Sequence, residues 1–479
     1  ASWMGGDTVL PGATCLNQSG IFTLPYPDAA ARVFTLMAKY SDNLRALYET
    51  PRLTIPPSRA LNTISSLLDN AKAQQRTLLS EWESKQLLDA YGIPTIATQL
   101  ATSADEAVEI AEDIGYPVVL KLHSHTITHK TDVGGVKLDL CDEAAVRSAF
   151  KSISSIGDSG DCLGVTVQPM VNLQGYELIV GSTVDAQFGP VLLFGNGGQL
   201  VEVYRDLALG LPPLNTTLAR RLMEKTRVYS ALKGVRGQSG VDMGAIERLL
   251  VQFSQLVLQY PEIKDVEINP LLASADRLLA LDARVVLHDS ELPFEQLPKP
   301  AIRPYPSQYI KPWTMKNGMA TIIRPIGPED EPSIVSFHHN LSEESVYFRY
   351  FHMIKLQARV AHERLTRICF IDYDREMALV AEHADPETGD RSILGVARLS
   401  QLHDRNEAEF GMLIADAYQG QGLGTEFLKS LLNIARCEGI SRISATLLPA
   451  NHCMQHICRT LGFTIERSLE EVNVYMNLE

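Results

Sequence analysis

Gly420, Gly422 and Gly424 stand at alternate positions in the stretch DAYQGQGLGTEFL (416–428), where an amphipathic helical pattern begins. Glycine allows the backbone to approach a ligand closely, and a helix start presents unpaired N–H groups with partial positive charge. These residue types at this spacing predict a site for phosphate oxygens. A Walker loop is excluded because no lysine follows Gly424, and the spacing is not the GxGxxG of a dinucleotide fingerprint.

A second group of polar residues lies in the middle of the chain. Its stretches are LKLHSHTITHKTDVGGVKLDL (120–140), GGQLVEVYRD (197–206), VEINPLL (266–272) and ALDAR (280–284). Lys121 lies in an apolar strand pattern, where its charge is costly unless it meets an anion such as a nucleotide phosphate. Asparagine and acidic side chains on neighbouring strands supply the oxygen ligands that Mg²⁺ prefers. The sequence therefore predicts a nucleotide site with a metal.

Composition excludes several classes of function. The chain has 479 residues and a formal net charge of −14, which argues against nucleic-acid binding because phosphate contacts require clustered Lys and Arg. No apolar run approaches the ~20 residues that cross a bilayer. The seven cysteines form no CxxC pair, so neither a disulfide framework nor a zinc site is expected. We predict a cytoplasmic protein of the α/β class.

Four segments follow from the patterning. Helical and extended patterns alternate over residues 74–292, a proline-rich stretch at 293–318 is typical of a semi-rigid linker, and residues 319–479 read as a compact α/β unit. Residues 1–73 contain one short strand and a helix at 28–47, too little to bury a core. We expect this segment to be the end of a domain whose remainder is absent.

Residues 319–479 resemble a GCN5-related N-acetyltransferase (GNAT) domain. QGQGLG (419–424) is similar to the pyrophosphate loop of that family, and Asn451 followed by LGF (461–463) is similar to its next motif. The resemblance implies that acetyl-CoA lies between two splayed strands. It would contact backbone or side chains of Met412, Leu413, Ile414, Gln419, Gly420, Gln421, Gly422, Leu423, Gly424, Thr425 and Asn451.

Acetyl transfer to an amine needs a neutral nucleophile. Deprotonating a lysine at pH 7 costs about 4–5 kcal/mol, which a carboxylate base relieves. RNEAEFGMLI (405–414) offers Glu409, our first candidate, and Glu407, the second; they share one face of a strand. An ordinary solvent-facing pair is the alternative for both. Many relatives carry a Tyr general acid where this chain has Cys458, which puts such an acid in doubt.

Residues 74–290 resemble the ATP-grasp domain of ADP-forming acyl-CoA synthetases. The resemblance places Lys121 on ATP phosphate, Met170 and Val171 after Gln168 at the adenine, Glu267 near the nucleotide, and Asn269 and Asp282 on Mg²⁺. His129 occupies a position that relays phosphate in some relatives, with a surface or turn-capping histidine as an equal alternative. The early stretch PGATCLNQSGIFTLPYPDAAARVF (11–34) is similar to the tail of a flavodoxin-like CoA-ligase domain.

Together these parts resemble the bacterial Pat-type protein lysine acetyltransferases. The resemblance implies transfer of acetyl from acetyl-CoA to a lysine of AMP-forming acyl-CoA synthetases such as acetyl-CoA synthetase, which inactivates them, with a synthetase-like region that senses a ligand. From the net charge and the lack of a long apolar run we expect no nucleic-acid or membrane partner. We also predict a homo-oligomer. An ADP-forming acyl-CoA ligase with an auxiliary acetyltransferase domain is the main alternative, and a non-enzymatic acyl-CoA or nucleotide sensor is a third.

Overall fold

The structure is a computed structural model that describes residues 1–2, 4–53, 58–127, 130–156, 162–171, 175–198, 205–234, 240–402 and 405–478. The chain divides into two compact units, one of Pro51–Pro304 and one of Ala1–Thr50 with Tyr305–Glu479. Across the described residues, no helix combines the length and apolar character needed to cross a bilayer.

The elements alternate as expected for an α/β chain. The helices are α1 (Leu10–Gln18), α2 (Pro27–Leu47), α3 (Ser58–Ala73), α4 (Glu81–Ala90), α5 (Ala104–Ile114), α6 (Glu143–Ser154), α7 (Thr216–Glu224), α8 (Val228–Leu232), α9 (Met243–Gln259), α10 (Glu331–His339), α11 (Glu343–Tyr350), α12 (Leu356–Arg359), α13 (His362–Cys369), α14 (Leu423–Cys437) and α15 (His452–Thr460). The strands are β1 (Gln99–Ala101), β2 (Val118–His123), β3 (Val136–Leu140), β4 (Gly164–Pro169), β5 (Tyr176–Asp185), β6 (Gly189–Asn196), β7 (Leu207–Gly210), β8 (Ile263–Ala273), β9 (Leu278–Ala280), β10 (Ala283–Leu287), β11 (Lys311–Thr314), β12 (Ala320–Pro325), β13 (Glu376–Ala384), β14 (Arg391–Gln401), β15 (Glu407–Ile414), β16 (Arg442–Leu447), β17 (Thr464–Arg467) and β18 (Val472–Asn477).

Two antiparallel sheets organise the unit Pro51–Pro304. One has the order β1-β4-β2-β3, and the other has the order β10-β8-β5-β6-β7 with β9 on β8. The second sheet packs against helices around buried Phe194 and Phe253. Helix α4 belongs to this core: a capping box between Ser80 and Glu83 starts it, and Gly92 at φ 87° follows its end. This arrangement brings the first residues of α4 to the sheets.

One sheet of order β11-β12-β13-β14-β15-β16-β18-β17 organises the other unit. Helix α14 buries Phe427, Leu428, Leu431 and Ala435, a spacing that forms one helical face, on the sheet. Helices α10, α11 and α13 share a second apolar cluster with Leu413 of β15. The alternate residues Ala408 and Phe410 belong to the α14 side, so β15 presents its odd-numbered residues to the α10–α13 side.

One pair of strands in this sheet is parallel and short. Strand β15 pairs with β16 through Glu407–Arg442, Ala408–Ile443 and Glu409–Ser444 only, although both strands continue further. On its other side β15 pairs with β14 as far as Ile414. Beyond Glu409 the two parallel strands therefore separate, and one edge of β15 is open to a ligand.

The α/β fold with two different domains is as predicted, and the helix expected at 28–47 is α2. Neither α1 nor α2 buries a residue, whereas Ile64 and Leu68 of α3 lie in the core of the unit Pro51–Pro304. Within the stretch 293–318, β11 pairs with β12. The four predicted segment boundaries, and the origin of residues 1–73 in a flavodoxin-like CoA-ligase domain, stay predictions.

Candidate acetyl-transfer and nucleotide sites

The glycine stretch forms a tight turn into α14. Gly420 and Gly422 have φ 72° and φ 91°, in the left-handed region that favours glycine. Gly422 is the N-cap of α14, and no side chain caps its first N–H groups. A Cβ on Gly424 would lie 3.0 Å from Ile457 Cδ1, so this glycine allows α15 to pack closely. The first turn of α14 therefore has amides that no side chain caps, and the binding of phosphate oxygens there stays a prediction.

Neighbouring side chains define the edges of this turn. The Gln419 amide nitrogen donates to the Ile414 carbonyl at 3.0 Å and to Ser345 Oγ at 3.0 Å. The Lys316 N–H donates to the Gln421 carbonyl at 3.2 Å, and a Cβ on Gly422 would lie 3.6 Å from Lys316 Cε. Lys316 lies between β11 and β12, about 100 residues before the glycine turn in the sequence, so no local pattern predicts that the two meet. Its side chain adds a positive charge beside the glycine turn.

The open edge of β15 carries the residues predicted to meet pantetheine. Met412, Leu413 and Ile414 pair with β14 on one side and have no β16 partner in the parallel ladder. Leu413 is buried, and Met412 and Ile414 pack partly into the α14 cluster. The contacts of Leu423 and Thr425 with a cofactor, like those of Met412 to Ile414, stay predictions.

The two candidate bases lie where the strands begin to separate. Glu409 is exposed, Glu407 is half-buried, and both are on the odd face of β15. The ladder puts Glu409 in one row with Ser444 of β16 and Tyr475 of β18. On the same face, a Cβ on Gly411 would lie 2.6 Å from Arg349 Cζ, so a guanidinium covers the strand two residues from Glu409. Sequence reasoning missed Arg349, because only the packing of α11 on β15 brings it there.

Two further predicted residues, Asn451 and Cys458, lie at the start of α15 and within it. Asn451 Oδ1 accepts a hydrogen bond from the Met454 N–H at 3.1 Å, so this side chain caps α15. A cofactor contact for Asn451 stays a prediction. Cys458 is fully buried, and burial raises the pKa of its thiol to about 12. A neutral, inaccessible thiol is a poor proton donor, in line with the expectation that Cys458 does not replace a Tyr acid.

A buried group of lysines marks the other unit. Glu81 accepts from Lys85 at 2.7 Å and Lys121 at 2.8 Å on one carboxylate oxygen, and from Lys130 at 2.6 Å on the other. Lys85 also donates to the Gln168 side chain at 2.7 Å. We call Glu81, Lys85, Lys121 and Lys130 the lysine cluster. Three cations on one carboxylate leave an excess of positive charge for an anion.

The lysine cluster has strongly altered acid–base properties. Burial alone would raise the pKa of Glu81, but Lys121, Lys85 and Lys130 outweigh it and hold that pKa well below its usual value. Burial lowers the pKa of Lys85 to about 8. Burial would also lower the pKa of Lys121, yet Glu81 and Asp282 outweigh it and raise that pKa. Glu81 is therefore ionised at neutral pH and fixes the lysines.

Only Lys121 of this cluster was predicted from sequence. A signal for Glu81 and Lys85 was present, since they lie four residues apart on the same side of α4 as the buried Leu88. A Glu–Lys pair at this spacing is usually interpreted as part of the solvent-exposed face of a helix. Lys130 gave no signal, because its contact with α4 depends on how the loop before β3 folds.

Of the predicted magnesium ligands, Asn269 lies on β8 and Asp282 directly precedes β10, which pairs with β8. Ala283 pairs with Ile268, so Asp282 stands opposite Asn269, and Glu267 is on the same face. Asn269 Nδ2 donates to Glu267 Oε1 at 3.2 Å, and Asp282 Oδ2 lies 3.7 Å from Lys121 Nζ. Within the described part of the chain, no group of three or more His, Cys, Asp or Glu side chains could hold a metal alone. Asn269 and Asp282 suit Mg²⁺ that is also held by nucleotide phosphates.

The other nucleotide predictions concern Gln168, Met170, Val171, Glu267 and His129. The Met170 N–H donates to the Pro117 carbonyl at 2.9 Å, which leaves only other groups of Met170 and Val171 for an adenine. These contacts, with those of Gln168 and Glu267, stay predictions. His129 and residues 199–204 of the GGQLVEVYRD stretch lie outside the described residues.

The comparisons with known proteins agree with this geometry. Residues 70–287 match the ATP-grasp domain family, and residues 321–464 match the acetyltransferase (GNAT) domain family. The beta subunit of ADP-forming acetate–CoA ligase I from Pyrococcus furiosus is 38% identical over 225 residues, which cover 46% of this chain and 96% of that subunit. The chain belongs to the ATP-grasp family and carries a fused GNAT domain. We call Pro51–Pro304 the ATP-grasp unit and Ala1–Thr50 with Tyr305–Glu479 the GNAT unit.

Two other relatives show how far each match extends. ADP-forming acetate–CoA ligase I from Archaeoglobus fulgidus is 34% identical over 290 residues, which cover 60% of this chain and 42% of the ligase. The match therefore spans less than half of that ligase. The acetyltransferase PA5475 of Pseudomonas aeruginosa is 30% identical over 159 residues, 33% of this chain and 82% of that protein. The GNAT domain indicates an acetyltransferase that uses acetyl-CoA, and the ATP-grasp domain indicates nucleotide binding.

Proposed function

We propose that the GNAT unit transfers acetyl from acetyl-CoA to a lysine of AMP-forming acyl-CoA synthetases such as acetyl-CoA synthetase, and thereby inactivates them. The separation of β15 from β16 beyond Glu409 and Ser444 carries this proposal. It opens a strand edge that leads from the glycine turn to a carboxylate, as transfer from an extended thioester requires.

In the proposed reaction each residue has a distinct role. The free amides at the start of α14 bind the diphosphate, and the backbone of Met412 to Ile414 pairs with the pantetheine arm. Glu409, directly or through a water, takes a proton from the lysine ammonium. The neutral amine then forms a bond to the acetyl carbon, and the carbon–sulfur bond breaks. The second proton, which the nitrogen loses as it becomes an amide, goes to the leaving CoA thiolate.

The ATP-grasp unit has a regulatory role in this proposal. Its lysine cluster and the Asn269–Asp282 pair would bind a nucleotide with Mg²⁺. A ligand changes the activity of another unit only when it prefers one of two states of the protein. We expect such coupling to appear as a nucleotide- or acyl-CoA-dependent change in the acetylation rate, in a cytoplasmic homo-oligomer.

Substitution of the base tests the catalytic assignment. We expect Glu409→Gln to lower the rate of acetyl transfer about 100-fold, because the amide cannot accept the proton, while acetyl-CoA binding by calorimetry is retained. Labelled acetyl-CoA, a panel of purified acyl-CoA synthetases and mass spectrometry of the modified lysines give the rate and the target. Glu387→Gln, in an exposed turn, is the matched control. A normal rate in Glu409→Gln with a large loss in Glu407→Gln would move the role to Glu407.

An ADP-forming acyl-CoA ligase is the second candidate, favoured by the buried lysines beside Asn269 and Asp282. It predicts that the chain forms ATP from acetyl-CoA, ADP and phosphate. Lys121→Met would then abolish ATP formation and leave the acetylation of proteins unchanged. If no ATP forms while synthetases are acetylated, the ligase activity is excluded for this chain.

A further inference from the structure

Arg359, the last residue of α12, is a buried arginine for which the described residues supply no ion-pair partner. Its exposed fraction is 6%, and its Nε and Nη1 atoms are buried without a hydrogen bond. A guanidinium is ionised at every physiological pH. Burying it without an anion is strongly unfavourable. An arrangement of this kind is expected where an anion from outside completes the site.

Two neighbouring side chains share this feature. His338 Nδ1 on α10 and Arg364 Nε on α13 are also buried without a hydrogen bond. Burial, then the charges of Arg359 and Arg364, lower the pKa of His338 to about 4, so its imidazole is neutral at pH 7. Among the described residues, no carboxylate lies within ion-pair distance of Arg359 or Arg364. We call His338, Arg359 and Arg364 the arginine cluster.

A chain of contacts links the arginine cluster to the reacting strand. The Tyr350 ring centre lies 4.9 Å from Arg364 Cζ and 5.3 Å from Arg349 Cζ. The Arg349 guanidinium lies against Gly411 of β15, on the face that carries Glu409. Arg364, Tyr350 and Arg349 therefore connect the arginine cluster to the strand two residues from the predicted base.

The same segment exposes apolar side chains. Tyr347 and Phe351 are each 42% exposed, and Met353 is 55% exposed. Phe351 ends α11 at φ 60°, a left-handed conformation that is uncommon for a bulky residue. Backbone strain of this kind occurs preferentially at sites that bind a ligand. Exposed aromatic residues beside arginines are typical of polypeptide interfaces.

We propose that the face formed by α10–α13 binds an acidic segment of the acceptor polypeptide. One carboxylate of that segment would pair with Arg359 and Arg364, and apolar side chains would cover Tyr347, Phe351 and Met353. The acceptor lysine would then lie beside Glu409. Charge complementarity selects this occupant: the cluster holds two guanidiniums and lacks a carboxylate. The inference rests on the proposed acetylation of protein lysines. It adds that the enzyme selects lysines next to acidic residues of the acceptor.

Two synthetic peptides test the selection. Each has one central lysine, flanked by four Glu in the first peptide and by four Gln in the second. We expect the KM for the Glu peptide to be roughly tenfold lower, as for hydrogen bonds to charged groups. Arg359→Met should remove this preference, Arg359→Lys should keep part of it, and the KM for acetyl-CoA should not change. Arg367→Met, an exposed arginine on α13, is the matched control. Equal KM values in the unaltered protein would overturn the proposal.

The melting temperature of Arg359→Met distinguishes a ligand-binding arginine from one that stabilises the fold. If Arg359 is unpaired, Arg359→Met should unfold at the same or a higher temperature than Arg367→Met. A clearly lower melting temperature would show that Arg359 has a structural partner, and the proposal would fail.

Calorimetry separates this proposal from the proposed function. Binding of the Glu peptide to the full chain does not depend on turnover. Tight binding that Arg359→Met abolishes, without any acetylation, would support the site and refute the acetyltransferase function. Competition by sodium acetate as strong as by the Glu peptide would show that a free carboxylate is the ligand and would overturn the polypeptide proposal.

Discussion

The lysine cluster of the ATP-grasp unit and the arginine cluster of the GNAT unit bury cations in opposite ways. Lys85, Lys121 and Lys130 all contact Glu81. Arg359 has buried donors without partners. In the first cluster a carboxylate of the protein supplies a counter-charge, whereas the described residues supply none in the second.

The two clusters differ in whether their positive charge is compensated before a ligand binds. Glu81 neutralises part of the lysine charge, so the cluster is folded and ordered before a ligand arrives, and an incoming phosphate competes with a carboxylate. The arginine cluster gains its first full partner from outside, so a ligand contributes the whole of the missing interaction. Removing a partner should therefore destabilise the first cluster, whereas removing a cation should relieve the second.

The largest expected effect is that of Glu81→Gln. It removes the carboxylate that three lysines share and leaves only Asp282, near Lys121, as a counter-charge. The free energy of unfolding of the ATP-grasp unit should therefore fall by about 3–5 kcal/mol. Urea unfolding at pH 7, with Glu109→Gln at an exposed position of α5 as control, measures this loss. The paired description of the lysine cluster is wrong if the two variants are equally stable.

The same cluster should be sensitive to acid. The pKa of Glu81 is lowered in the folded state, so its contribution to stability is fully present above the unfolded value near pH 4.3 and is lost as the pH falls toward the folded value. The Glu81→Gln variant should lack this part of the acid dependence.

A smaller effect is expected at His338. Its folded pKa of about 4 lies below the unfolded value near 6.5, so stability is full above pH 6.5 and falls as the unfolded state takes up a proton. Between pH 7 and pH 5 the loss should be about 2 kcal/mol. His338→Asn should remove this loss and the adjacent, exposed His339→Asn should not. Equal pH profiles for both would mean that His338 is not held neutral beside the arginines.

The smallest effect is expected for Lys130→Met. Glu81 keeps Lys85 and Lys121 and loses only the contact on its second oxygen, so stability should fall by about 1 kcal/mol. ATP affinity, measured by calorimetry with Mg²⁺, should fall more than in Lys151→Met on α6. A loss of stability as large as that of Glu81→Gln would show that the three lysines are not interchangeable partners.

The local patterns predicted most elements correctly, but several features depend on distant residues. The helix at 28–47, the strands of both units and the glycine turn follow from periodicity and from residues that favour turns. The segment 331–369 contains α10–α13, which were not predicted as separate helices. Their short lengths and mixed polarity give weak periodicity, and their position depends on packing against Leu413 and Ile393.

The candidate sites also contain residues that the sequence predicted and residues that only folding brings together. Gly422, Glu409 and Lys121 were singled out by residue type and local pattern, whereas Asn269 and Asp282 were assigned through the resemblance to ATP-grasp domains. Arg349, Lys316, Glu81 and Arg359 were missed because each acts through a neighbour far along the chain.

The sequence by itself determined which backbone segments can bind a diphosphate and which carboxylates lie on one strand face, since these depend on local geometry. Only the tertiary structure decided where β15 and β16 separate, that Glu81 joins three lysines, and that Arg359 is buried without an ion-pair partner among the described residues. Burial and ion pairing are properties of the packed chain, because the dielectric environment of a side chain is set by what folding places around it.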